Sequence, residues 1–393
     1  MVRHEIPFLD EELSALAQRS GPFRKNVVIE SAPGPTVVLD GMKVVNLASC
    51  NYLGFATHPK IREAAIDAIR QYGMGVGSAR SDIGNTKFHE QLEAKTAEFL
   101  HCESSVVVAS NSEANIAVLT SLLTDKDAAI CDADNHASVF DGVKLSGADC
   151  WTYHHLHMDD LRTKLNDAKA KGYRRVVTIT AGVFSLWGDI APLPRILELA
   201  QEYGAITMVD DGHATGVIGE DGQGTVSYFG LEGQWDIKTG GYGKALGVVG
   251  GFVACDAKLR ELIVRKSHFY THTAPRPTGI TAACVAALDL MQTDEGKAAL
   301  NRMWANTSYF KEGLTALGFR LPVGGQTPLT LMMIDDRELA IRLRDSLLSE
   351  GVAVCLRAKG LRAIVTAAHE REDLTRALGA FEAAGRQLKV LGR

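Results

Sequence analysis

From Ser104 onward the chain repeats one arrangement, a short apolar run followed by a helical period, and that alternation leaves few possible folds. The runs SSVVVAS, AAICDA, RRVVTITAG and AITMVDD are too short and too continuously apolar for exposed helices, and they read as strands buried on both faces. Between them, ANIAVLTSLL, HASVFDGVKL and PRILELAQEYG carry the spacing of helices that cover such a sheet. The predicted class is therefore α/β, with a mainly parallel central sheet sandwiched by helices. WDIKTG and VVGGFVACD add two strands around Lys244, and long helical patterns follow from Leu259 to Leu317.

The ends of the chain follow a different pattern. TVVLD and KVVNLA flank Gly41 as a hairpin, ahead of a helix in KIREAAIDAIRQY, and MVRHEIPFLDEELSALAQRS reads as an amphipathic helix. Strands in PLTLMMI and LRAIVTA and helices in RELAIRLRDSLLSE and DLTRALGAFEAAGRQL make a compact α+β tail. The expected division is an N-terminal arm over 1–45, a large domain over 46–290 and a small α+β domain over 291–393.

The charge balance narrows the partners. A net charge of -5 without any lysine or arginine run gives no footprint for nucleic acid or for an anionic membrane. The longest apolar stretch, Leu246 to Ala254, is broken by glycines and falls far short of the ~20 residues that span a bilayer. Charges at Arg3, His4 and Glu5 interrupt any signal-peptide core, and seven scattered cysteines without a CxxC pair point to reduced thiols. Together these predict a cytoplasmic protein whose partners are small molecules.

In an open α/β sheet, ligands bind beyond the carboxyl ends of the strands, so the residues that follow the strands are the candidates for chemistry. AITMV runs into Asp210, Asp211, Gly212 and His213, where a carboxylate can pair with a cationic ring nitrogen or simply cap a loop. Lys244 lies in a glycine-rich turn between two strands, a setting that presents an amine to a carbonyl for Schiff-base formation. The glycine–lysine pair is not a P-loop, because Ala245 stands where a magnesium-binding hydroxyl is required. Ser110, Asn111 and Ser112 open a helix and can cradle a phosphate or merely cap the helix. His136 opens another helix, placed to stack on a flat ring or to serve as a structural histidine. His154, His155 and His157 lack the i, i+4 spacing of a helical zinc pair, and no metal is expected.

Seven strings in fixed order, NLASCNYLGFATHP, GMGVGSARSDIGNTKFHEQLE, DADNHASVFDGVKLSGA, GVFSLWGDIAPL, VDDGHATGVIGEDGQG, GKALGVVGG and LRAIVTAAHE, resemble the α-oxoamine synthases. These are enzymes of the fold-type I transferases that depend on pyridoxal 5'-phosphate (PLP). The resemblance implies that Lys244 carries the cofactor, that Asp210 partners its pyridine nitrogen, and that His213 and Ser185 neighbour the ring hydroxyl, with His136 stacking. Ser110, Asn111, Ser112 and Tyr242 complete the implied cofactor set, and Asn51 and Arg362 the substrate set, Arg362 gripping a carboxylate. Thr271 and His272 match a stretch that reaches the phosphate in a partner subunit, which implies a homodimer with shared sites.

The implied reaction condenses a small amino acid (glycine, alanine or serine) with an acyl thioester on coenzyme A or a carrier protein. The thiol and CO₂ leave and an aminoketone forms, with bound PLP as the electron sink. Another fold-type I reaction, transamination or aldol cleavage, would use Lys244 and Asp210 in the same way, and a non-catalytic partner subunit is the reading of a different class. Departures from the family pattern gather around the substrate: Cys50, Ser112, Ala181 and Trp187 replace larger, amide or acidic residues, and Gly241 replaces a hydroxyl-bearing one.

Overall fold

The computed structural model describes residues 8–20, 26–322 and 326–391. Helix α1 (Leu9–Ser20) begins with Asp10, Glu11 and Glu12, which face the positive end of its own dipole. The predicted helical residues 1–7 lie outside the described residues. Strands β1 (Thr36–Leu39) and β2 (Met42–Asn46) pair through the two-residue turn Asp40-Gly41, both of positive φ, which gives the Asp-Gly pair its usual place in a tight hairpin. Helices α2 (Pro59–Tyr72) and α3 (Lys87–Phe99) follow, α2 with proline in its first turn and α3 with a reciprocal cap between Thr86 and His89.

The alternation then unfolds as β3 (Ser104–Val108), α4 (Asn111–Leu122), β4 (Ala128–Asp132), α5 (Ala137–Ser146), β5 (Asp149–Tyr153), α6 (Met158–Lys171), β6 (Val176–Ala181), α7 (Leu193–Tyr203) and β7 (Ile206–Asp210). The short α8 (Thr225–Tyr228) leads to β8 (Ile237–Gly241), β9 (Gly251–Cys255), α9 (Ala257–Lys266), α10 (His268–Thr271), α11 (Thr278–Met291) and α12 (Asp294–Leu317). In space the strands order as β3-β9-β8-β7-β6-β4-β5, with β9 antiparallel to both of its neighbours and every other pair parallel. This is the mainly parallel sheet the sequence predicts.

Burial on both faces explains the continuous apolar runs. In β7, Met208 packs with Val106, Ile179 and Val253 on one face, whereas Val209 packs with Ile130, Phe184 and Ile196 on the other. The edge strand β5 differs, since Asp149, Cys150 and Thr152 are exposed and only Tyr153 is buried. It carries no apolar run, and the alternation read from the sequence passes over it.

The tail comprises β10 (Leu329–Met333), α13 (Arg337–Ser349), β11 (Val352–Ala353), β12 (Cys355–Arg357), β13 (Gly360–Ile364) and α14 (Arg371–Gln387). β10, β13 and β12 form an antiparallel sheet, while β11 adds in parallel to β2, so the N-terminal hairpin joins the C-terminal layer. Val45 and Leu47 pack in one cluster with Phe310, Leu343 and Phe381. Among the described residues no helix is long and apolar enough to cross a membrane.

Candidate active site

β7 and β8 end side by side, β7 at Asp210 and β8 at Gly241, and the segments beyond them build a cavity. It is lined by Asn111, Ser112, Asp134, His136, Ala181, Val183, Ser185, Asp210, His213 and Lys244. Residues predicted from five separate stretches therefore meet in one place.

The two aspartates of VDDGH part company here. Asp210 turns into the cavity, its Oδ1 accepting from Asn111 Nδ2 and the Gly212 N–H, both at 2.9 Å, and its Oδ2 accepting from Asn115 Nδ2 at 2.7 Å. Three donors fix its orientation, with the carboxyl group aimed into the cavity. Asp211 is buried away from the cavity, accepts from the Thr225 N–H and hydroxyl at 2.8 and 2.6 Å, and so anchors the start of α8. Burial, only partly countered by those bonds, pushes its pKa up to about 6.

Lys244 is held across from Asp210. Burial lowers its ammonium pKa and the Asp210 charge partly restores it, a balance that favours an amine able to release its proton. Gly212 leaves room between them: a Cβ there would lie 2.7 Å from Asn111 Nδ2 and 3.0 Å from both Lys244 Nζ and Asp210 Oδ1, and would displace these side-chain ends. His213 is neutral, because burial first, and then the charges of Lys244 and Arg362, drive its pKa well below the ordinary value. Its Nδ1 lies 2.8 Å from the hydroxyl of Tyr52, a wholly buried phenol whose pKa burial raises well above the usual value.

Other predicted residues take different places. Ser110 caps α4, its hydroxyl accepting from the Glu113 N–H at 3.1 Å, and the Asn111 side chain reaches Asp210. These two side chains are thus engaged elsewhere, and the free donors for an anion are the backbone N–H groups at the start of α4. His136 caps α5 through its Nδ1, which lies 2.8 Å from the Ser138 hydroxyl, and its ring lines the cavity. Arg362 donates to the Ser185 carbonyl and, although buried, leaves Nε without a partner.

Tyr242 departs from expectation: its ring packs on Phe252 beneath β8 and its hydroxyl pairs with Thr96 at 2.6 Å, so its side chain belongs to the core and not to the cavity. Asn51 is a turn residue, its Oδ1 accepting from the Ala56 N–H at 3.2 Å, and it does not line the cavity. Thr271 and His272 pair with each other at 2.7 Å at the end of α10, also away from it.

Three residues escaped the sequence reading. Asn115 sits one helical turn after Asn111, a spacing that could have revealed it. Tyr52 and Asp134 gave no comparable signal.

The geometry accords with a wide kinship. Residues 42–381 match the family of class I and II aminotransferases. An 8-amino-7-oxononanoate synthase from Symbiobacterium thermophilum is 43% identical over 98% of this chain and 99% of its own length. The 8-amino-7-oxononanoate synthase 1 of Bacillus subtilis is 40% identical over 98% and 99%. Among solved structures, a serine palmitoyltransferase from S. paucimobilis, with PLP and myriocin bound, superposes with a TM-score of 0.90 at 28% identity, covering 99% of this chain and all of its own.

The chain belongs to this family, in its α-oxoamine synthase branch. It is a PLP-dependent C-acyltransferase of fold type I that joins a small amino acid to the acyl group of a thioester. The residues of the cavity suit that cofactor: a carboxylate fixed by three donors, an amine beside it and free N–H groups at a helix start are complementary to its ring nitrogen, aldehyde and phosphate.

Proposed function

We propose that Lys244 attaches PLP and returns as the base that takes the α-proton of the amino acid, with Asp210 opposite the pyridine nitrogen. The observation that carries this is the single cavity in which Asp210, fixed by Asn111, Asn115 and Gly212, faces a buried Lys244. When bound, the cofactor supplies an electron sink for negative charge developing on the substrate. Asp210 keeps a proton on the nitrogen it faces, because a neutral partner would leave its carboxylate buried without a charge to meet. The Tyr52 hydroxyl donates to His213 Nδ1, so Nε2 carries the proton and presents an N–H toward the ring hydroxyl, with Ser185 beside it. His136 covers the ring face, and the free N–H groups of α4 with Ser112 receive the phosphate.

Arg362 binds the carboxylate of the amino acid, with its unpartnered Nε as one donor. The product named for the relatives is a nine-carbon acid whose amino-bearing carbon and terminal methyl are the pair that alanine leaves after losing its carboxylate. L-alanine is accordingly the proposed amino acid, and a thioester of a seven-carbon acid with a far-end carboxylate the proposed donor. Thr271, half-buried, and His272, exposed, lie outside their own cavity and are proposed to meet a second copy in a cytoplasmic homodimer.

The test is thiol release from a panel of acyl-coenzyme A thioesters with L-alanine, glycine or L-serine. Release that requires L-alanine and vanishes in Lys244→Ala is expected. Keto-acid formation without thioester loss would instead assign a transaminase.

A further inference from the structure

Beside the cavity, around Asp132, His155 and Asp189, lies a cluster that the reaction above does not use. Asp132, the last residue of β4, is fully buried yet accepts from the Asp134 N–H at 2.9 Å and the Leu156 N–H at 3.0 Å. His155 Nδ1 lies 2.9 Å from Asp132 Oδ1, and His155 Nε2 lies 2.9 Å from Asp189 Oδ2. Both ring nitrogens therefore face carboxylate oxygens. A neutral imidazole has one N–H, so with both aspartates ionised either tautomer would set a lone pair against a carboxylate, and only the doubly protonated ring satisfies both.

The two carboxylates belong to the two segments that shape the cavity. Asp132 starts the segment leading to Asp134 and His136, and Asp189 closes the loop that carries Ser185, a loop pinned at its ends by the Val183–Ile190 bridge. Trp187 of that loop stacks on the His155 ring at 6.4 Å, and its Nε1 donates at 2.6 Å to Asp134 Oδ2. The His155 and Phe184 rings meet edge to face, their centroids 4.4 Å apart. Charged groups facing His155 are Asp132 and Asp134 from the β4 side and Asp189 from the loop, while its neighbour His154 is taken by Asp160.

We propose that His155 is a positioning residue, a permanent imidazolium clamp that ties the His136 segment to the Ser185 loop and thereby sets the slot in which the cofactor ring is held. This rests on the placement of the cofactor proposed above. Burial alone would lower the His155 pKa, but hydrogen bonds to Asp132 and Asp189 and their charges outweigh it and raise the pKa to about 10.

The closing experiment separates the clamp from the site it serves. With ¹³C-labelled histidine, nuclear magnetic resonance of the cofactor-free protein should show one ring that stays protonated to about pH 10, identified by its loss in His155→Gln. Asp189→Asn should move that titration down by about one unit or more. A ring titrating near the ordinary histidine value of about 6.5 overturns the clamp whether or not cofactor binds. In the loaded protein, His155→Gln should lower kcat about tenfold or more, weaken the visible circular dichroism of the bound cofactor and leave KM for the amino acid within about twofold. Wild-type kcat and dichroism in that variant overturn the positioning role. If His155→Gln fails to fold, Asp189→Asn carries the same two readouts, with the visible dichroism expected to fade at a lower pH than in the wild type. A cofactor that borohydride fixes to a lysine other than Lys244 would show instead that the cofactor site is elsewhere.

Discussion

At the residue scale the site depends on groups whose own partners are fixed. Asn115 illustrates this, because its amide donates to Asp210 at 2.7 Å and accepts from the Thr239 hydroxyl at 2.6 Å inside a fully buried position. Asn115→Ala removes one charge-assisted bond and strands the others, so kcat/KM should fall about 10- to 100-fold with the protein still folded. Steady-state kinetics beside far-ultraviolet circular dichroism checks this. Arg362→Lys exchanges a planar fork for a point charge, and KM for the amino acid should rise about tenfold with kcat less affected. A larger loss in kcat than in KM would place Arg362 in the reacting geometry and not in substrate capture.

How far the site was legible follows from the kind of signal each residue left. Asp210, His213, Lys244 and His136 stand directly after strands or at helix starts, where the topology of an α/β sheet puts ligands, so position alone marked them as candidates. Tyr52 is different: it meets His213 across 161 positions of sequence, and no local pattern encodes that contact. Asp134 is held by Trp187 at a distance of 53 residues, and only the folded loop shows it. Tyr242 misled because it shares the turn of Lys244, yet its ring packs on Phe252 and its hydroxyl on Thr96 within the core.

At the scale of elements, the strands of the central sheet legible in the sequence are those buried on both faces, while β1 and β2 were legible through the hairpin around Gly41. β5, β11 and β12 were passed over, β5 because its exposed positions dilute the apolar signal and the others because two or three residues give no period. The division at residues 45 and 290 remains a proposal, set against a hairpin that pairs with the C-terminal layer. The start of α4 shows how tightly elements approach at the site. Gly251 of β9 lies against the backbone of Ser110 and Asn111, and a methyl there would collide with the Ser110 carbonyl. Gly251→Ala should cost about 3 kcal/mol of stability and weaken PLP binding, since the helix start must shift. Thermal unfolding and cofactor titration would show it, and an unchanged melting temperature would mean the turn relaxes freely.

For the whole molecule, Ile83, Met74, Leu9 and Leu13 are large apolar side chains left exposed, and the proposed homodimer would offer them a place to be buried. Light scattering after size exclusion should give twice the mass of one chain. A monomer retaining full activity would remove Thr271 and His272 from any shared site.

The parallel pairing of Val352 and Ala353 with Val45 and Asn46 also has a consequence for how the protein is made. Edge groups of the hairpin that emerge first wait for partners encoded about three hundred residues later. At ribosomal speeds of roughly 5–20 residues per second, that wait lasts on the order of 15 to 60 seconds, during which an open strand edge must be shielded from other nascent chains.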